Sequence, residues 1–283
     1  MSGSASDWEL DYYSRPLQDP EGRRRWELLI CSSDRSFQWQ RFCPADSVNS
    51  VWLNQALSAA MAAATAASAT APRRLRCWRS SMRTMVQRAA EPLGLVMVPS
   101  RRCFSLQQWL LERQAEVYPA MEGYMVGPLA PPAQPMRAAP LPLPDAVRGD
   151  SWSSASLPAA SLEEADQWPI DFAGLVPLPA MQADAAIPGL RLFSPERALA
   201  LAGWLSGLEP VRLEVRNQQL VLEAGLEDRW LVSDLDEQAI TAAEAAFNQS
   251  RQLAGGMQFL AVQTDADSNR FHGFWLLRDL ADD

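Results

Sequence analysis

Hydrophobic and polar residues alternate along the first part of the chain in the pattern of β-strands. In the segment WELDYYSRPL, the side chains of Trp8, Leu10 and Tyr12 alternate with polar ones. The turn-forming segment QDPEG follows, and RRRWELLIC then repeats the alternation. A third short alternation lies in FQWQRF. We therefore predict a meander of three strands at the start of the chain.

The apolar positions then change to a helical spacing. Apolar side chains recur every fourth residue from Leu53 to Met61, which predicts a helix. We expect Asp46 or Ser47 to cap it and its alanine-rich second half to extend it toward residue 68. The following segments predict a strand in LRCWRS, a helix in SMRTMVQRAAEPL, a strand in LGLVMVPS and an amphipathic helix in CFSLQQWLLERQAEVY.

The predicted order of elements in residues 1–125 is therefore βββαβαβα. A ribonuclease-H-like domain has this order, although a restriction-endonuclease-like α/β sandwich gives something similar. We predict a mixed α/β domain with a five-stranded sheet.

Prolines separate this domain from the rest of the chain. Seven of them fall between residues 126 and 150, where they favour an extended, stiff linker. We predict a linker and irregular strap over residues 126–188 and a smaller α+β domain over residues 189–283. In the second domain a helix is expected to begin at Ser194, and the order βββαβ that follows is consistent with a related structural repeat.

Charge is distributed unevenly along a chain whose formal net charge is −9. Residues 1–125 contain 15 arginines and 12 acidic residues, whereas residues 126–283 contain 10 and 22. Lysine is absent, so every basic side chain is a guanidinium. This asymmetry suggests two domains with different surface roles.

The basic residues are densest between residues 73 and 102, where eight arginines accompany the single acid Glu91. Guanidinium groups bind phosphate oxygens in a fork and stack on bases. We therefore predict an RNA-binding surface, with a tryptophan available for stacking. The predicted RNA-binding residues are Arg73, Arg74, Arg76, Trp78, Arg79, Arg83, Arg88, Arg101 and Arg102.

Two further features bear on this prediction. Arg101 and Arg102 precede a predicted helix, whose free N–H groups attract phosphate, and Phe104 is a second candidate for stacking. The alternative interpretation is that the arginines form a solvated surface paired with nearby acids and that Trp78 lies in the core. Separate buried ion pairs would contradict a continuous cationic surface.

The sequence gives little indication of a set of catalytic residues. A ribonuclease-H-like nuclease holds metal ions with carboxylates on its first strand, first helix, fourth strand and last helix. Asp11 supplies the first, but the predicted first helix has no acid and the fourth strand ends in Arg79 and Ser80. His272 lacks a partner nucleophile at an informative spacing, so we expect a structural role for it. We predict no enzymatic activity.

Cofactor and membrane signals are equally weak. The four cysteines form no CxxC pair, so we expect buried, reduced thiols and neither a metal site nor a cofactor. No run of about 18 uncharged apolar residues occurs, which predicts no membrane insertion. The start of the chain has no export or transit pattern, and a cytoplasmic location is expected.

Several motifs resemble those of a known family. They are WELDYYSRPL, RRRWELLIC, PSRRCFSLQQWLLER followed by YPAMEGY, GDSW, IPGLRLFSPERALALAGWLSGLEP, DRW, FLAVQ and GFWLLRDL. In this order, and over nearly the whole chain, they resemble the Tab/Atab family of chloroplast and cyanobacterial RNA-binding translation activators.

The resemblance implies a cyanobacterial protein that binds single-stranded A/U-rich leader RNA and promotes translation of photosystem reaction-centre subunits. The C-terminal domain is then expected to bind a protein partner or a second copy. The alternatives are a photosystem assembly scaffold that binds only proteins, and a degenerate metal-dependent nuclease.

Overall fold

The computed structural model describes residues 7–126, 139–144 and 148–279. The chain divides into two compact units, residues 1–137 and residues 138–283. In the described ranges, no helix is long and apolar enough to cross a membrane.

The first unit contains one mixed five-stranded sheet. Its strands are β1 (Asp7–Gln18), β2 (Arg24–Ser32), β3 (Gln38–Cys43), β4 (Arg74–Cys77) and β5 (Val96–Pro99). Their order in the sheet is β3-β2-β1-β4-β5. Strands β1, β2 and β3 pair antiparallel, whereas β4 runs parallel to both β1 and β5. The predicted meander is confirmed.

The described residues of this unit also form three α-helices: α1 (Ser50–Ala66), α2 (Arg83–Ala90) and α3 (Phe104–Glu112). The order βββαβαβα is the predicted one, which confirms the mixed α/β fold. The predicted cap of α1 is wrong, because Asn49 takes that role and its Oδ1 accepts the N–H groups of Val51 and Trp52 at 3.0 Å each.

The two faces of the sheet are covered by different helices. Trp8, Leu10 and Tyr12 of β1 pack in a core with α1 and α2. On the other face, a smaller core that includes Leu29 and Leu106 is covered by α3. Because side chains alternate along a strand, the polar residues of β1 point toward α3 and are buried with it.

The second unit contains two sheets. One has the order β10-β11-β12-β6, with β6 (Leu141–Pro142), β10 (Pro210–Arg216), β11 (Gln219–Ala224) and β12 (Asp228–Asp234). The other has the order β7-β9-β13-β14-β8, with β7 (Ser151–Pro158), β8 (Ile170–Gly174), β9 (Ala186–Phe193), β13 (Met257–Gln263) and β14 (Phe271–Arg278).

Two helices, α4 (Ala198–Leu208) and α5 (Glu237–Leu253), pack against these sheets. Helix α4 begins later than predicted, because the Oγ atom of Ser194 donates to Asp150 at 2.6 Å and does not cap the helix. Gly255 and Gly256 follow α5 with φ values of 57° and 74°, so they end this helix as predicted.

The second unit differs from the prediction in three respects. The expected irregular strap contributes β7 and β8 to a sheet, and the unit is no smaller than the first. The order βββαβ occurs in both units, but its strands are distributed differently between sheets, which does not match the expected structural repeat. Strands β10, β11 and β12 lie in one sheet and β13 in another, whereas the first four strands of the chain share one sheet.

Candidate nucleic-acid interface

Strand β4 places two of the predicted arginines beside the acidic residues of β1. The parallel register pairs Asp7 with Arg74 and Glu9 with Arg76. Because Leu75 and Cys77 point into the core under α1 and α2, both arginines point toward α3. The two arginines of this strand therefore face a row of carboxylates.

Asp7 binds both of these arginines. Its Oδ2 atom lies 2.5 Å from Nη2 of Arg74 and 2.9 Å from Nη2 of Arg76. The side chain of Arg74 remains 40% exposed, whereas that of Arg76 is only 8% exposed. Arg76 is thus committed to a buried ion pair, and Arg74 keeps one side open to solvent.

Asp11 is the centre of a second group of contacts. It binds Arg79, accepts a hydrogen bond of 2.6 Å from Nη1 of Arg15, and accepts one of 3.0 Å from Nε1 of Trp78. Burial alone would raise the pKa of Asp11, but Arg79 and Arg15 outweigh it and lower the pKa to about 2. A carboxylate bonded in this way does not fit the first metal ligand of a nuclease.

Glu9 occupies the amino end of α3, where phosphate was predicted. Its Oε2 atom accepts the Leu106 N–H at 2.8 Å. Burial raises the pKa of Glu9 to about 7, although this hydrogen bond and the charges of Arg76 and Arg102 act in the opposite direction. The anion that the helix terminus attracts is therefore an internal carboxylate.

The remaining predicted residues near α3 are also enclosed. Arg102 is only 4% exposed, and its guanidinium carbon lies 5.5 Å from the centre of the Phe104 ring. Phe104 is buried, which removes it as a stacking platform, and Arg101 is half-buried. Trp78 is half-buried against the core under α3, and the guanidinium of Arg79 lies 4.4 Å from its ring centre.

Sequence reasoning missed a fourth buried carboxylate, Glu27 of β2. It lies 3.1 Å from Nε of Arg15 and 2.5 Å from Nη2 of Arg113, and it accepts the Tyr118 hydroxyl at 2.6 Å. Acidic residues that alternate with large apolar ones at the start of β1 were the available signal for such a network. The network explains why this face is buried although it is polar.

Only part of the predicted basic surface is therefore open to solvent. Arg73, before β4, and Arg83 and Arg88, on α2, are exposed. Within the described residues, none of these three arginines is in an ion pair. The prediction of a continuous cationic surface over residues 73–102 is thus wrong, because some of these arginines are exposed whereas others form buried ion pairs.

The four cysteines are buried, and the histidine contacts a carboxylate. All four cysteines are reduced and buried, as predicted, and burial raises the pKa of Cys77 to about 12. His272 lies on β14, where its Nδ1 atom is 2.8 Å from Oδ2 of Asp171. That carboxylate also binds Arg270.

Comparison with known proteins gives the family of this chain. The sequence profile described as "RNA-binding protein Tab2/Atab2 N terminal" matches residues 7–113, and that of the C-terminal domain of the same proteins matches residues 130–278. The chain belongs to the Tab2/Atab2 family of RNA-binding proteins.

Two plant relatives extend the match over nearly the whole chain. "Protein TAB2 homolog, chloroplastic" of Zea mays is 37% identical over 98% of this chain and 72% of the relative. The protein of the same name from Arabidopsis thaliana is 34% identical over 98% of this chain and 75% of the relative. The resemblance seen in the sequence motifs is confirmed, and the Tab2/Atab2 domains match within each of the two compact units apart from a few residues at the boundary.

Proposed function

We propose that this protein binds single-stranded, A/U-rich leader RNA without catalysis and promotes translation of photosystem reaction-centre subunits. The observation that supports this most strongly is membership of the Tab2/Atab2 RNA-binding family through both of its domains. The chloroplastic relatives support a role connected with photosynthesis.

The exposed arginines of the first unit are the proposed phosphate contacts. Arg73, Arg83 and Arg88 present their charges to solvent, and Arg74 is partly open. Phosphate contacts of this kind hold the RNA backbone and carry no sequence information. In this proposal Arg76, Arg79 and Arg102 act from within the fold, where they fix β4 and α3 against β1.

The buried carboxylates favour binding over cleavage. Asp7 and Asp11 each bind two arginines, and Glu9 binds the amino end of α3. A two-metal nuclease requires carboxylates that are open to cations. A protein whose buried carboxylates already bind guanidiniums or a helix end is suited to hold RNA intact.

The experiment that tests the proposal is ultraviolet crosslinking of the native protein to cellular RNA, followed by sequencing of the attached fragments. We expect enrichment of A/U-rich leader regions of reaction-centre transcripts. Copurification of photosystem subunits without an enriched transcript would instead support an assembly scaffold. Cleavage of bound RNA that depends on magnesium or manganese and is lost in Asp11→Asn would support the nuclease alternative.

A further inference from the structure

A row of aromatic rings lies at one end of the sheet in the first unit. The rings of Tyr13 and Trp26 have centroids 5.6 Å apart, and the Trp26 ring is 5.6 Å from that of Tyr12. The Tyr12 ring stacks on Trp52 of α1 at 5.5 Å with an interplanar angle of 14°. We call these four residues the aromatic row.

The outer members of the row are partly open to solvent. Tyr12 is fully buried, and Tyr13, Trp26 and Trp52 are half-buried around it. Each of these three rings therefore packs against protein and keeps part of its surface exposed to solvent. Rigid rings of this kind are suited to stacking, since little side-chain entropy is lost when a planar ligand binds.

A guanidinium lies at each end of the aromatic row. That of Arg79 is 4.0 Å from the Tyr13 ring centre, and that of Arg41 is 5.7 Å from the Trp52 ring centre. Arg79 is held by Asp11, whereas Arg41 is exposed on the edge strand β3. In the part of the chain that the structure describes, Arg41 has no ion-pair partner, so its charge is available to an anion.

The end of the row formed by Tyr13 and Arg79 lies beside the carboxyl end of β4. Tyr12 and Tyr13 lie at the middle of β1, and Trp78 and Arg79 directly follow the parallel strand β4. Ligands of open α/β sheets bind beyond the carboxyl ends of neighbouring parallel strands. The carboxylates of this region, Asp11 and Glu27, already bind arginines, so they do not repel a polyanion through unpaired charges.

We propose that the aromatic row binds unpaired bases of single-stranded RNA by stacking, while Arg41 contacts the RNA backbone. This inference rests on the proposed function and names a site for it outside residues 73–102. Stacking on half-buried rings requires bases that are free of a duplex, and an adjacent guanidinium suits the phosphate between two bases. An acidic protein segment could engage the same rings and guanidinium, and the test below distinguishes it from RNA.

The test measures binding of a fluorescein-labelled A/U-rich 15-nucleotide RNA to the full chain. We expect Trp52→Leu to weaken binding by about 5- to 150-fold, the range for loss of one stacked base. Arg41→Gln is expected to reduce the slope of log affinity against log salt by about 0.7, whereas Trp52→Leu leaves this slope unchanged. Because Arg41 is exposed, this second variant remains informative if Trp52→Leu does not fold.

Trp39→Leu is the matched control, because Trp39 is a half-buried tryptophan of β3 that does not belong to the aromatic row. It should retain wild-type affinity. Equal weakening of binding by Trp39→Leu and Trp52→Leu would reject the aromatic row as the RNA site. The same conclusion would follow if Trp52→Leu and Arg41→Gln both had the affinity and salt slope of wild type. Neither result would contradict RNA binding itself. Failure of the wild-type chain to bind any single-stranded RNA would reject the proposed function itself, and binding of an acidic peptide alone would assign the row to a protein partner.

Discussion

Glu9 lies between the amino end of α3 and the guanidiniums of Arg76 and Arg102, and only 1% of its surface is exposed. The folded chain raises its pKa from 4.5 to about 7 because burial penalises the charged form. Between these two values the folded state therefore holds more protons than the unfolded state. The stability of the protein is accordingly expected to fall as the pH rises through this window.

Glu9→Gln keeps an acceptor for the Leu106 N–H and removes this titration. The free energy of unfolding of the variant relative to wild type is expected to rise by about 3 kcal/mol between pH 4.5 and pH 7.5. Urea unfolding at half-unit pH intervals measures the difference. Glu116→Gln, which changes an exposed acid after α3, is the control and should give a flat difference. If the difference in unfolding free energy between Glu9→Gln and wild type did not change with pH, the raised pKa of Glu9 would be contradicted.

At the scale of elements, α2 has one buried apolar side and one exposed basic side. Val86, Ala89 and Ala90 are buried against the core, and Arg83 and Arg88 are exposed on the same helix. The helix follows β4, where Arg76 is enclosed in an ion pair with Asp7 beneath α3. Both elements carry arginines. Their exposure differs because Arg76 of β4 is covered by α3, whereas the arginines of α2 face solvent.

The double variant Arg83→Gln/Arg88→Gln is expected to weaken binding of A/U-rich RNA at low salt by a factor of about 5–30, which corresponds to about 1–2 kcal/mol for two phosphate contacts. Its thermal unfolding should match that of wild type, because neither side chain is packed in the core. Arg216→Gln removes an exposed arginine of the second unit and should leave affinity unchanged. Undiminished affinity in the double variant would exclude α2 from the interface.

At the scale of the whole molecule, an acidic chain is expected to bind a polyanion through a local surface. The formal net charge is −9, yet the first unit carries an excess of arginine and exposes several of them. If Arg41, Arg73, Arg83 and Arg88 each neutralise one phosphate of single-stranded RNA, log affinity should fall with log salt with a slope of about −3.

Fluorescence anisotropy at salt concentrations between 50 and 300 mM, roughly the range over which such slopes are resolved, measures this value. Duplex RNA of the same composition is the control and should bind more weakly, because its bases are already stacked. Affinity that does not change with salt would show that phosphate contacts are unimportant for this protein.

The sequence alone determined the order of elements in the first unit and the family. Strand and helix periodicities are local, so the βββαβαβα order of the first unit followed from the spacing of residues such as Trp8, Leu10 and Tyr12. The ends of elements were harder to predict from the sequence, since Asn49 and not Asp46 or Ser47 caps α1. Strands β7 and β8 were missed because their proline-containing surroundings suggested an extended strap.

Only the tertiary structure decided which charges face water. Arg73 and Arg76 have the same side chain and lie three residues apart, but the first is exposed and the second pairs with Asp7 beneath α3. Likewise, the residues of the aromatic row come from β1, β2 and α1, and no local pattern joins them. The physical reason is that burial and ring contacts depend on which layers pack together, and that packing is formed by residues far apart in the chain.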